Sequence, residues 1–438
     1  MVKILINAYA CCPGMGSEQG MGWNWITSLA KTGEVELFVI SEGEYRSQIE
    51  NYLRSEKLKV KSEKSARDES SWVERIHFYW NPVPQTTREK CWNQGNWSFY
   101  PLYEKWQRKT AEIAREICSK EKIDILHQLN MIGFREPGYL WQVSKETGIP
   151  FLWGPVDAKD KFPLTYKEGA SLKTKAFLWL KNTISVWQLK HSNRVREAAR
   201  HASILLGASS NSVRSFKMYM DIDAILMNET GCSLSPAISH GKGEMKGSTC
   251  SRGQGNNGSC IKILWVGKMD FRKQLGLAIQ SIAEVKNKNV YLHIVGGGDD
   301  TPYRSMADSL GVNDCISWHG AVSHEEVQNL MRDCDVLLFT SVAEGTPHVV
   351  LEAIANGLPV ICHDTCGHGD SVTEDVGIKI PLSNPNQSVK YFAAAILDLY
   401  YNREKLSLMS ANCAQRAVEL SWKNKAMKMV EMYKGVVR

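Results

Sequence analysis

Short apolar runs alternate with longer amphipathic stretches along this chain, and that alternation restricts it to βαβ units around parallel sheets. Ile4-Leu5-Ile6 reads as a strand, followed by the glycine-rich stretch Gly14 to Gly22 and a helix with Trp23, Ile26 and Leu29 on one face. Val35 to Ile40 is the next strand, and others are predicted at Ile76 to Trp80, Ile123 to His127, Phe151 to Trp153, Ser203 to Leu206 and Ala224 to Met227. After residue 260 the pattern resumes more cleanly, with strands at Ile261 to Val266, Val290 to Val295, Val336 to Phe339 and Pro359 to Cys362. Ser323 with Glu326 fits a capping box that opens a helix.

Between these halves, residues 237–260 are rich in Gly, Ser, Asn and Lys and nearly devoid of large apolar side chains, the composition of a linker or loop. The expected organisation is a first Rossmann-like domain over 1–236, the linker, and a second over 261–415. A C-terminal helix over 416–438 is expected to pack back on the first. In such doubly wound α/β folds ligands bind outside the carboxyl ends of the strands. The 438 residues include 12 cysteines without C-x-x-C spacing, which reads as buried, reduced thiols. Met1 to Asn7 is too short for a signal peptide and no apolar run approaches about 18 residues, so a cytoplasmic location is expected.

The most informative spacing lies in Ala343 to Ala353. Pro347 suits a helix start, which leaves the amides of Thr346, His348 and Val349 pointing outward, and free amides at a helix N-terminus favour phosphate. Glu352, about a turn and a half into that helix, is an acceptor-only group suited to a ribose diol. Glu344, at the strand end before it, is placed to meet a sugar hydroxyl. Lys268 and Lys273 flank a loop after the first strand of the second half, where cations would neutralise a diphosphate leaving group. Ordinary surface carboxylates and solvated lysines are the competing reading for each residue taken singly.

Taken together, Val266-Gly267-Lys268, Lys273, Val295-Gly296-Gly297-Gly298-Asp299, Trp318-His319-Gly320 and the Glu344…Glu352 pair resemble the retaining GT-B glycosyltransferases of family 4. Gly16-Ser17-Glu18, Arg135-Glu136-Pro137-Gly138 and Trp153-Gly154-Pro155 add to this in the first half. The resemblance implies two Rossmann-like domains facing each other across a cleft. It implies transfer of a sugar, with retention and without metal or other cofactor, from a UDP- or GDP-sugar to a glycan or lipid-linked acceptor in surface polysaccharide synthesis. Glu352 would hold the donor ribose, Glu344 the transferred sugar, and Lys268 and Lys273 the diphosphate. Gly345, Thr346, Pro347, His348 and Val349 would line the phosphate site, Val322 would border the base, and Gly16 would permit close backbone approach. The family's usual residue at position 268 is arginine, so the fork geometry is lost there. Related enzymes carry a catalytic histidine near His127, some of them two positions later at what is here Leu129. His127 is therefore a catalytic candidate, against the alternative of a satisfied structural histidine. Arg135, Glu136 and Asp370 are acceptor-side candidates.

The formal net charge is +6, too mild to call for nucleic acid. Residues 171–200 alone carry that excess: Lys173, Lys175, Lys181, Lys190, Arg194, Arg196 and Arg200 stand against Glu197. Phe177, Trp179, Leu180, Ile184 and Trp187 recur there at near-helical spacing, so the segment either lies on an anionic membrane surface or packs its aromatic face into the first domain. Three rival functions remain: a GT-B nucleotide-sugar epimerase, a non-enzymatic nucleotide-binding subunit, and a dinucleotide oxidoreductase resting on Gly296-Gly297-Gly298. The last lacks a full G-x-G-x-x-G and its downstream acid.

Overall fold

The apolar runs form two wholly parallel sheets in the computed structural model, which describes residues 1–62, 70–91, 98–158, 162–167, 170–234, 260–286 and 289–437. The linker expected at 237–260 lies outside the described residues, except Cys260.

The first sheet is built from β1 (Val2–Ala8), α1 (Ser17–Lys31), β2 (Val35–Ser41), α2 (Arg46–Ser62), β3 (Ile76–Trp80), α3 (Gln85–Cys91), α4 (Phe99–Lys120) and β4 (Ile125–Asn130). The chain continues through α5 (Leu140–Thr147), β5 (Phe151–Val156), α6 (Leu172–His191), α7 (Asn193–His201), β6 (Ile204–Gly207), α8 (Ser210–Met220) and β7 (Ile225–Leu226), with α6 up to Ile184 assigned to the second compact unit. Strand order is β3-β2-β1-β4-β5-β6-β7. Ile4, Leu5 and Ile6 of β1 are all fully buried, as a central parallel strand covered on both faces requires.

The second sheet uses β8 (Ile261–Val266), α9 (Leu275–Val285), β9 (Val290–Val295), α10 (Thr301–Ser309), β10 (Ile316–Gly320), α11 (His324–Asp333) and β11 (Val336–Phe339). After it come α12 (His348–Ala355), β12 (Val360–His363), α13 (Cys366–Ser371), β13 (Gly377–Ile380), α14 (Pro385–Tyr401) and α15 (Arg403–Leu420). Its order is β10-β9-β8-β11-β12-β13. Ser323 caps α11 by accepting the Glu326 amide at 3.2 Å. Strands β10 and β13, absent from the periodicity reading, are short edge-side strands with half-buried residues.

The compact units differ from a division at residue 236. The first comprises Met1–Asp160, Ser185–Thr230 and Trp422–Arg438; the second comprises Lys161–Ile184 and Gly231–Ser421. The last helix, α16 (Trp422–Val437), begins after the break at Ser421 and not at 416. Its Ala426, Met429 and Tyr433 are buried in the same core cluster as Ile4, Ile6 and Trp25. Trp25 and Trp422 meet edge to face at 5.6 Å. Among the described residues no helix is long and apolar enough to cross a membrane.

Candidate functional site

Strand order in the second unit reverses between β8 and β11, and the loops leaving these two strands converge there. The β8 loop is pinned to the end of β11 by backbone and side-chain bonds. The Val342 amide donates to the Arg272 carbonyl at 3.1 Å, Ser341 Oγ lies 3.2 Å from the same carbonyl, and Thr340 Oγ1 donates to the Lys273 carbonyl at 2.8 Å. Trp265 Nε1 in turn donates to Thr340 Oγ1 at 3.0 Å. So fixed, Lys273 Nζ reaches Glu344 Oε1 at 2.6 Å, and the same oxygen accepts Ser341 Oγ at 2.8 Å. The Lys273 ammonium also stands 5.4 Å from the Phe339 ring centroid. Sequence motifs single out Lys273 and Glu344. They miss Ser341, whose only signal is a hydroxyl just past an apolar strand.

Pro347 is the N-cap of α12, with φ −71° and ψ 124°, and the helix proper starts at His348. Thr346 and Pro347 are buried, His348 is exposed, and Gly345 and Val349 are half-buried. The Gly345 carbonyl accepts the Gly367 amide at 3.0 Å, and a Cβ at Gly367 would collide with Thr346. Only a glycine lets the α13 start approach this turn so closely. Glu352 faces α11, where its Oε2 accepts Gln328 Nε2 at 3.3 Å. Lys268 is exposed on the β8 loop, and Val322 is half-buried against the cluster around Leu264, Leu337 and Phe339.

Gly296 and Gly298 have φ of +144° and +136°, and a Cβ on them would strike the Gly267 carbonyl and Met269. The glycine run therefore serves the packing of one loop on another, which removes the support for a dinucleotide fingerprint. Asp299 Oδ1 accepts the Thr301 amide at 3.1 Å and Asp300 pairs with Arg304 at 2.8 Å, so both act within their own turn.

Two buried histidines lie beside this region. His363 is bonded to Ser388 Oγ at 2.9 Å, and burial lowers its pKa to about 4. His368 meets the Phe339 ring at 5.0 Å, edge to face. Neither of its ring nitrogens has a hydrogen-bond partner among the described residues, and burial with nearby His363 and Lys273 lowers its pKa to about 3.

The first unit places its candidates differently. Gly16 is the exposed N-cap of α1, with no atom within 4 Å of an added Cβ, whereas Gly20 and Gly22 are held against the Met15 and Ala10 carbonyls. His127 requires a correction. It lies inside β4, fully buried, where Nε2–H donates to the Gly154 carbonyl at 2.7 Å. A carbonyl only accepts, so the other nitrogen, Nδ1, accepts the Tyr433 hydroxyl at 2.7 Å. Desolvation lowers its pKa to about 4. With both nitrogens engaged and no exposure, His127 is a structural histidine. Arg135 and Glu136 are also committed inward. Arg135 donates to Gln188 at 2.5 Å and to Ser185, while Arg194 grips Glu136 at 2.9 Å and Glu104 at 3.3 Å. Burial nevertheless pushes Glu136 up to about 7. Asp370 lies in the second unit, its carbonyl accepting Arg416 at 3.0 Å. It therefore belongs to a different unit from Arg135 and Glu136.

Residues 251–416 match the family described as Glycosyl transferases group 1. An uncharacterised glycosyltransferase of Methanocaldococcus jannaschii is 29% identical over 39% of this chain and 44% of its own length. Lipopolysaccharide 1,6-galactosyltransferase of Escherichia coli is 31% identical over 27% of this chain and 34% of its own. The chain thus spans less than half the length of these curated relatives. Among solved structures, lipopolysaccharide outer core galactosyltransferase WaaB superposes with a TM-score of 0.60 at 16% identity, covering 99% of this chain and 100% of that one. Anabaena HepE in complex with UDP gives 0.57 at 14%, with the same coverage. These likenesses establish two Rossmann-like domains of the kind found in GT-B glycosyltransferases.

Proposed function

We propose that this protein is a retaining glycosyltransferase, acting in the cytoplasm, that moves a sugar from a UDP- or GDP-sugar to a glycan or lipid-linked acceptor in surface polysaccharide synthesis. The observation that carries this reading is the Lys273–Glu344 pair at the strand-order reversal of the group 1 domain. Support comes also from the relatives, which include lipopolysaccharide and amylovoran biosynthesis glycosyltransferases, and from HepE, solved with UDP-glucose.

In this reading Lys273 and Lys268 offset the growing charge on the diphosphate, aided by the amides at the start of α12. Glu344 accepts a hydroxyl of the transferred sugar. A carboxylate has about four lone-pair sites, so its bonds to Lys273 and Ser341 leave acceptor capacity. Glu352 accepts the ribose diol. The bond from the anomeric carbon to the phosphate oxygen breaks as the acceptor oxygen bonds to that carbon on the same face. The acceptor's proton passes to the departing phosphate oxygen.

The test is a thermal-shift series with UDP- and GDP-sugars, followed by transfer assays that read product anomeric configuration. Stabilisation by one nucleotide class, with retained configuration and loss of transfer in Glu344→Gln, is expected. Absence of any shift, or donor epimerisation without an acceptor, would overturn the assignment.

A further inference from the structure

Helix α6 carries apolar residues on two opposite sides. Leu178, Asn182 and Leu189 form the stripe it buries. Across the helix stand Phe177, Leu180, Ile184 and Trp187, exposed by 52, 50, 36 and 62%. Their spacing of three or four residues places them on one face. A helix that already buries one side gains no stability from a second apolar side held in water, so this face marks an interaction surface. The structure thereby removes the alternative in which the aromatic side chains pack into the domain.

Charge identifies what covers it. No Asp or Glu occurs between Ser171 and Arg196. Lys181 and Lys190 flank the apolar face, Lys173 sits at its N-terminal end, and all three are exposed. Of the basic residues that follow, Arg194 is spent internally on Glu104 and Glu136, and Glu197 is engaged by Lys145 at 2.9 Å. A second copy presenting the same face would set lysine against lysine. Stacked bases would give the aliphatic Leu180 and Ile184 no hydrocarbon to enter. An anionic bilayer satisfies both features: tryptophan and aliphatic side chains enter the acyl boundary, while lysine stems extend their ammonium groups to headgroup phosphates.

We propose that α6 is a membrane-surface helix that lies flat on an anionic bilayer through Phe177, Leu180, Ile184 and Trp187, flanked by Lys173, Lys181 and Lys190. This inference stands independently of the glycosyltransferase reading.

Flotation of the full chain with vesicles of phosphatidylcholine, with and without phosphatidylglycerol, tests it. The protein is expected to float only with the anionic vesicles. Lys173→Glu/Lys181→Glu should lower vesicle affinity by about thirtyfold, two cations at about 1 kcal/mol each. Leu180→Ser/Trp187→Ser should abolish flotation even at low salt, with circular dichroism and Tm unchanged in both variants. Turnover of a soluble acceptor reads the donor site and should be unmoved. No flotation of the parent, or equal flotation of all three proteins, overturns the proposal. A dimer that dissolves in the Leu180→Ser/Trp187→Ser variant would assign the face to a second copy, and single-stranded RNA bound through the same residues would assign it to nucleic acid.

Discussion

Lys273 Nζ and Glu344 Oε1 stand 2.6 Å apart, tying the loop after the first strand of the second unit to the loop after its fourth. Both side chains are only 18% exposed, so each holds the other's charge where water is scarce. Removing one partner strands the other, which costs more than the pair itself contributes.

Glu344→Gln is expected to lower kcat by roughly a hundredfold or more, with a smaller change in donor KM, because in the proposed function its carboxylate acts on the transferring sugar. Glu352→Ala should instead raise donor KM roughly tenfold or more and spare kcat, since the ribose contacts proposed for it would be made equally in ground and transition states. Steady-state kinetics on both variants decide this; identical profiles would contradict the division of roles.

Gly296→Ala is expected to destabilise the protein by about 3 kcal/mol or more, because φ of +144° and the Gly267 carbonyl both refuse a Cβ. Gly16→Ala, with open space around its Cα, should change stability by no more than about 0.5 kcal/mol. Urea denaturation of the pair measures the contrast.

Acid should weaken the fold through His127, His363 and His368. Burial lowers their folded pKa values to about 4, 4 and 3, against an ordinary value near 6.5. The unfolded chain then binds more protons below about pH 6.5, and their contribution, complete above that pH, is lost as pH falls towards 4. Each such group adds a slope of up to about 1.4 kcal/mol per pH unit. Denaturation curves at pH 7.5, 6.0 and 5.0 should show the decline. His368→Met should flatten it, since that ring forfeits no hydrogen bond when replaced; an unchanged slope would contradict this.

Transfer should persist in EDTA if, as proposed, Lys268 and Lys273 supply the positive charge that the diphosphate requires. Loss of activity that added Mg²⁺ or Mn²⁺ restores would contradict that role.

Strand positions were legible because hydrophobic period is a local property. Ile261–Val266, Val290–Val295 and Val336–Phe339 coincide with their apolar runs, and Ser323 caps its helix through a bond to a residue three positions on. Edge strands such as β13 escaped because half their residues are not buried, which blurs the run. At the site, motif spacing brings forward Lys273, Glu344 and Glu352 one by one, yet nothing local says that the first two are partners.

What the chain's order of residues determined by itself was the parallel α/β class, the two halves, and a cationic aromatic segment at 171–200. Tertiary structure decided which polar groups remain available. Strand order joined Lys273 to Glu344, folding back of the last helix brought Tyr433 onto His127, and Arg194 was neutralised by acids from two other elements. Such pairings depend on which distant strands become neighbours, and a buried polar group takes its role from the partner that burial forces upon it.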